Sequence, residues 1–320
     1  MKVVIAAHGH CFDGLCSAAL FTRLLQRLES RQLSLQYRAC GYAPGQPTPD
    51  EASLVGEQNA ILDYRYTPSA RVNWYFDHHR TAFKSSADRE FFEQQRALGA
   101  RYYYDADCSS CTKLIHQVAA RELGVELGCE QLLEWADRVD SAAFATPEAA
   151  VSFSSPIKRL VSVVENHADD AFFARWIPEL LARPLEEVAS DKAISQLYTP
   201  IGERHDQFVE AVQSKAEQRG RVVYVDLTDK PFKLIGKFIT YALFPQSVYS
   251  VMVVRVKNGF RISVGYNPWC GQSSALDISS ICARYGGGGH SVVGGVSLPE
   301  GERSRAQMIA TTIAQELDAG

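Results

Sequence analysis

Three short apolar runs in the first 80 residues each hand over to aspartate or histidine, and this recurrence restricts the fold more than any other property of the chain. VVIAA (3–7) leads into His8-Gly9-His10-Cys11-Phe12-Asp13-Gly14. NAILDY (59–64) contains Asp63, and NWYFDHH (73–79) ends in Asp77-His78-His79. A later helical stretch, EQLLEWADRVDSA, carries Asp137 and Asp140. One Asp at a strand end is commonly a helix cap or a turn residue. Three successive strand ends with the same chemistry are different. The runs alternate with helical periodicity, as in Leu15, Ala18, Ala19, Leu24, Leu25 and Leu28, which predicts a parallel sheet. In such a sheet the loops at the strand C-termini converge on one crevice. Carboxylates and imidazoles crowded there repel or desolvate one another unless cations hold them. Two divalent ions about 3.5–4 Å apart are the usual solution. Oxygen ligands mixed with imidazole favour Mn2+, with Mg2+, Co2+, Fe2+ and Zn2+ as alternatives. Asp137 and Asp140 stand i,i+3 and reach nearly the same face; Asp140 is the preferred ligand of the two.

A chain of 320 residues exceeds one ordinary core, so roughly two domains are expected. The expected fold class is α/β: a parallel-sheet catalytic domain over 1–150, a helical connector over 151–220 and a smaller α+β domain over 221–320. With 46% hydrophobic and 22% charged residues, the composition is that of a globular protein and disorder is not indicated. No apolar run reaches the roughly 18 residues of a membrane span, and MKVVIAA is read as a buried first strand, not a signal peptide. A cytoplasmic location without membrane association is therefore expected, and with it reduced cysteines. Cys108 and Cys111 form a CxxC without a second pair, which favours a packing role over a four-thiolate zinc site. The net charge of −4 is uneven: residues 221–320 carry ten Lys and Arg against seven Asp and Glu. The net acidic remainder would need bound cations to handle phosphate.

After residue 220 the pattern changes. RVVYVDL is a strand, and VYSVMVVRV–KNG–FRISVGY is a hairpin with an Asn-Gly turn. DISSICARYGGGGHSVVGGVSL joins a helix, a four-glycine loop and a strand, and a final helix runs through Met308, Ile309, Ile313 and Leu317. Four consecutive glycines sacrifice backbone entropy, so a close backbone approach is expected there. Bare amides in such a loop can cradle an anion; a flexible turn is the alternative.

Taken together, these motifs resemble the DHH phosphoesterase superfamily with its DHH-associated C-terminal domain. Asp77-His78-His79 matches the signature that names the family, and GGGGHSVVGG (286–295) is similar to the signature of the C-terminal domain. The resemblance spans nearly the whole chain. It implies a two-lobed hydrolase with a dinuclear metal centre, usually Mn2+. Carried over, His8 would ligate the first ion, Asp63 would bridge both, and Asp13, His78 and Asp140 would ligate the second. Asp77 would be a ligand or a support for the cluster, and His79 would touch the scissile phosphate. Gly286, Gly287, Gly288 and Gly289 with His290 would hold the far end of the substrate. Two positions depart from the family pattern. Cys11 stands where the first motif normally has an aspartate, which leaves a thiolate ligand, His10 as substitute, or a half-filled first site. After the second hairpin strand come Tyr266-Asn267-Pro268-Trp269, whose aromatics would either stack on a base or form a packed corner.

The resulting expectation is hydrolysis of phosphodiester or phosphomonoester bonds in short single-stranded oligonucleotides or nucleotides by metal-bound hydroxide. The alternatives are a nucleotide-binding regulator weakened at its first metal site, and a phosphatase of a non-nucleotide ester or polyphosphate. A homodimer is compatible with either.

Overall fold

A computed structural model describes residues 1–42, 47–232, 236, 238–273 and 276–320. The chain divides into two compact units, one of 1–143 with 154–198 and one of 144–153 with 199–320. The expected connector over 151–220 is thus shared between them, and most of its helices belong to the first unit.

In the first unit, β1 (Lys2–His8), β2 (Ser34–Cys40), β3 (Gln58–Leu62), β4 (Trp74–Asp77) and β5 (Arg101–Tyr104) form an all-parallel sheet in the order β2-β1-β3-β4-β5. Val3, Val4, Ile5, Ile61, Leu62, Tyr75 and Phe76 are fully buried, as central strands covered on both faces must be. Helix α1 (Phe12–Leu28) is also buried along most of its length. Leu15, Leu20, Phe21 and Leu24 are inaccessible, each contributing about 1.5–3 kcal/mol by burial. Gly14 permits this packing, because a Cβ there would collide with the carbonyl oxygen of His8. Helices α3 (Cys111–Arg121) and α4 (Glu130–Asp140) pack on α1. α2 (Ser86–Ala97) places Phe92 in a cluster with Tyr66, Tyr75 and Tyr102. The order β2-β1-β3 reverses direction between β1 and β3, which makes this the topological switch point where ligands bind in open α/β sheets.

The helices of the expected connector have specific partners. α6 (Pro156–His167) packs on α1, and α7 (Asp170–Ala182) packs on α1 and β2. Asp170 accepts 2.7 Å hydrogen bonds from the Ala39 amide and the Arg38 guanidinium, and the His10 amide donates to the Ala168 carbonyl at 3.3 Å. This segment therefore buttresses the loop that follows β1.

In the second unit, β6 (Ala216–Arg219), β7 (Val222–Pro231), β8 (Tyr249–Val256), β9 (Gly259–Tyr266), β10 (Gly288–His290) and β11 (Val293–Pro299) form a mixed sheet in the order β10-β11-β9-β8-β7-β6. Helix α12 (Arg303–Ala319) packs on β7, β8 and β9, and α11 (Ile278–Ala283) on β10 and β11. Two short helices, α5 (Pro147–Val151) and α10 (Ile239–Leu243), pack together, while α8 (Leu185–Ala189) packs on α6 and precedes the long α9 (Lys192–Lys215).

Two local expectations need correction. Val256 pairs with Gly259, so the hairpin turns on Lys257-Asn258 and the glycine opens β9, where its φ is +140°. The glycine run is not one loop either, because Gly288–His290 is a strand paired with β11. A Cβ on Gly287 or Gly289 would strike the β11 carbonyls of Gly295 or Val293. Close strand pairing by itself accounts for two of the four glycines.

Candidate metal centre

The switch point gathers the predicted side chains. His8 ends β1, Asp63 follows β3, Asp77-His78-His79 close β4, Cys11 and Asp13 begin α1, and Asp140 ends α4. Asp63 lies at the middle. His8 Nδ1 is 3.6 Å from its Oδ2, while His78 Nε2 and His79 Nδ1 are 3.6 and 3.7 Å from its Oδ1. His78 Nε2 also lies 3.3 Å from Asp140 and 3.9 Å from Asp13. Three ligand sets result, each with donor atoms within 4.8 Å of one another: His8, Cys11 and Asp63; Asp63, His78 and His79; Asp13, His78 and Asp140.

The donor set fits divalent cations. His8 Nδ1, both Asp63 oxygens and His78 Nε2 are buried without a hydrogen-bond partner, an arrangement that costs several kcal/mol unless something else satisfies them. Their tethering explains why they cannot turn away. The His78 Nδ1–H points to the Cys108 carbonyl at 3.1 Å, which directs Nε2 inward, as the outer hydrogen bond of a metal-binding imidazole does. Asp63 adopts φ +53°, a conformation that Asp and Asn tolerate better than other side chains.

Electrostatics agree with that reading. Burial pushes the Asp13 carboxyl well above its usual range, with Asp63 and Asp140 adding to it. Burial and the Asp63 charge raise Asp140 to about 6. Burial alone would also raise Asp63, but the imidazoles of His78 and His8 outweigh it and hold that carboxyl low. His78 is lifted to about 9, since the attraction of Asp63 and the other carboxylates exceeds the opposing effect of burial. Carboxylates and imidazoles so close together shift one another strongly, and divalent ions would offset that concentration of negative charge.

Asp77 stands outside all three ligand sets. Its Oδ1 accepts from the amides of His78 (2.9 Å) and His79 (3.2 Å) and lies 2.7 Å from His79 Nδ1, and its Oδ2 accepts from Tyr75 Oη at 2.9 Å. With both oxygens engaged, Asp77 is placed to orient His79 and the following turn. Asp77→Asn is expected to lower kcat by roughly 10–100-fold with metal stoichiometry retained; loss of bound metal would make Asp77 a ligand instead. His10 belongs to none of the sets and is exposed. Asp137 accepts from Ser109, from Ser110 at 3.2 Å and from Lys113 Nζ at 3.1 Å, so Asp140 alone of the pair faces the centre.

Ser109-Ser110 is legible in the sequence as the cap of a helix through Leu114, Ile115 and Val118, and Ser110 caps α3, but the role of this helix start in holding Asp13 is not. The amides of Cys111 and Thr112 donate to Asp13 at 2.7 and 3.0 Å, fixing a carboxylate at a favourable helix end. The CxxC thus contributes backbone: the Cys108 carbonyl holds His78 and the Cys111 amide holds Asp13. In the second unit Gly288, Gly289 and His290 are exposed. Trp269 packs against Phe238 and Tyr241, and its Nε1 donates to the Phe144 carbonyl at 2.8 Å, so the packed aromatic corner is the arrangement found.

No protein-family profile matches the chain, and no curated protein matches it in sequence. Solved structures do. A pGpG-specific phosphodiesterase, PggH from Vibrio cholerae, is 18% identical with a TM-score of 0.69, over 99% of this chain and 99% of that one. RecJ from Thermus thermophilus in complex with Mn2+ is 10% identical with a TM-score of 0.56, over 98% of this chain and 52% of that one. A DHH domain from a member of a ribosomal-protein family is 12% identical with a TM-score of 0.50, over 98% of this chain and 86% of that one.

Proposed function

On the premise that this chain has the DHH phosphoesterase fold, we propose that it is a metal-dependent hydrolase of phosphoester bonds in short oligonucleotides or nucleotides. The observation that carries this reading is the set of buried donor atoms without a hydrogen-bond partner on His8, Asp63 and His78 at the switch point of the sheet. Two divalent ions, with Mn2+ the leading choice, would be held by His8, Cys11 and Asp63 on one side and by Asp63, Asp13, His78 and Asp140 on the other. Such ions lower the pKa of water and offset charge on a transferring phosphoryl group. The protein's part is to hold that geometry without reorganisation. Asp63 presents both oxygens from a fixed backbone, α3 pins Asp13, and the Cys108 carbonyl sets the His78 tautomer. His79, whose Nδ1 lies 2.7 Å from an Asp77 oxygen, would present its other ring nitrogen to a phosphate oxygen.

His290, with the adjoining Gly286–Gly289 run, is assigned to substrate contact. His290→Ala is expected to raise KM by roughly tenfold, the cost of one hydrogen bond to a charged group, with the metal content unchanged. Metal loss in that variant would place His290 in the metal centre instead. The function itself is tested by assaying the Mn2+-loaded protein on linear dinucleotides, short oligoribonucleotides, 3′,5′-bisphosphonucleotides and inorganic polyphosphate. Turnover of polyphosphate alone would overturn the nucleotide reading.

A further inference from the structure

Beside the metal centre lies an aromatic surface that the cluster itself does not use. Tyr42 follows β2 and Tyr64 follows Asp63. Their rings stack at 4.4 Å with an interplanar angle of 8°. Both present edges to the His8 imidazole, at 5.4 and 6.1 Å. Tyr64 is buried, whereas Tyr42 is 49% exposed, an unusual exposure for a large ring next to a candidate ligand.

The pair is held rigidly. The Tyr64 hydroxyl donates to the Gly41 carbonyl at 2.7 Å, the Gly41 amide donates to the Pro47 carbonyl at 2.9 Å, and the Arg65 amide donates to the Tyr42 hydroxyl at 3.1 Å. Arg65 then brings its guanidinium to 5.2 Å from the Tyr42 ring centroid, with Nε donating to the Thr81 carbonyl at 3.3 Å. Among the described residues no carboxylate pairs with this arginine. This guanidinium, in the acidic part of the chain and without an anionic partner among the described residues, lies over the half-exposed Tyr42 ring; a nucleotide would replace that contact, its base taking the ring and its phosphate the guanidinium.

We propose that Tyr42, backed by Tyr64, is a base-stacking platform, and that Arg65 binds the phosphate of the same nucleotide, so that the metal centre receives its phosphoester with one base clamped against the first unit. This deepens the proposed function and rests on it for the identity of the substrate, but the subsite makes its own prediction about binding. The chemistry recognised is a planar nucleobase joined to a phosphate. A bare phosphate or a sugar phosphate engages only the arginine.

The test separates subsite from catalysis by measuring binding without turnover. The 320-residue chain is titrated calorimetrically with GMP, AMP and ribose 5-phosphate. Wild type is expected to bind the nucleotides roughly 5- to 150-fold more tightly than the sugar phosphate, the range of one base–aromatic stack. Tyr42→Leu should abolish that difference, Tyr42→Phe should keep it, and Arg65→Gln should weaken all three ligands alike. Metal content measured in each variant guards against an indirect effect through His8. Equal affinity of wild type for GMP and ribose 5-phosphate would overturn the platform, as would a Tyr42→Leu variant that retains base preference. If the base preference is present but dinucleotides are not hydrolysed, the subsite stands and the proposed reaction falls. If dinucleotides are hydrolysed without base preference, the reverse holds.

Discussion

Asp63→Asn is expected to reduce phosphoester hydrolysis by well over the roughly 100-fold that follows loss of an outer-shell partner, and to abolish stabilisation by metal. Asp63 belongs to two of the three ligand sets, and both of its oxygens are buried with no hydrogen-bond partner. Asparagine is the informative replacement, because it accepts the φ of +53° at this position nearly as well as aspartate does. Alanine would add backbone strain to the loss of the ligand. Wild type should melt at a higher temperature with Mn2+ present. A ligand at 100 times its dissociation constant stabilises the folded state by about 2.7 kcal/mol. The variant should show the same circular dichroism and no such rise. Full activity in Asp63→Asn at wild-type metal content would sink the dinuclear assignment.

The second large effect is expected at Cys11. Its Sγ lies with His8 Nδ1 and an Asp63 oxygen in one ligand set, and as the N-cap of α1 it makes no capping hydrogen bond. Burial, then Asp63, Asp13 and Asp140, push its thiol well above the ordinary value. A thiolate there therefore requires a bound cation to stabilise it. If Cys11 is a ligand, the first site is softer than one built from oxygen and imidazole and accepts Zn2+, Fe2+ or Co2+ alongside Mn2+. Cobalt-loaded wild type should show a near-ultraviolet thiolate-to-cobalt absorption that is absent from Cys11→Ala. Calorimetric titration should find one of two sites weakened in Cys11→Ala, and a shift toward Mn2+ in Cys11→Asp. The same stoichiometry and metal preference in Cys11→Ala as in wild type would make Cys11 a core thiol.

The residues of the candidate centre were legible because they sit where strands end. VVIAA, NAIL and WYF are short apolar runs of strand length, as strands buried on both faces carry, so His8, Asp63 and Asp77-His78-His79 are expected at C-terminal strand ends, where they lie. The edge strands were less visible. β2 (SLQYRAC) and β5 (RYYY) mix polar and apolar residues, since each has a neighbour on one side only. The glycine run reads as a loop in sequence because glycine carries no pattern; its pairing with β11 depends on a partner strand that local composition does not name.

What the sequence by itself determined was the α/β class, the chemistry of the cluster and the residues able to join it. Periodicity and residue type are local properties, and these conclusions need nothing more. Only the tertiary structure decided among candidates that look alike locally. It turned Asp140 toward His78 because Lys113, Ser109 and Ser110 engage Asp137 from α3 and the residues just before it. It engaged both oxygens of Asp77, one with Tyr75 and the other with the His79 imidazole. It joined the helices of 156–182 to the first unit, because an amphipathic helix announces that it buries a face but not against what. It also set Tyr42 beside His8, far away along the chain. Such choices depend on which groups meet across long sequence separations, and hydrogen-bond capacity is then allotted by proximity in space, which no local pattern encodes.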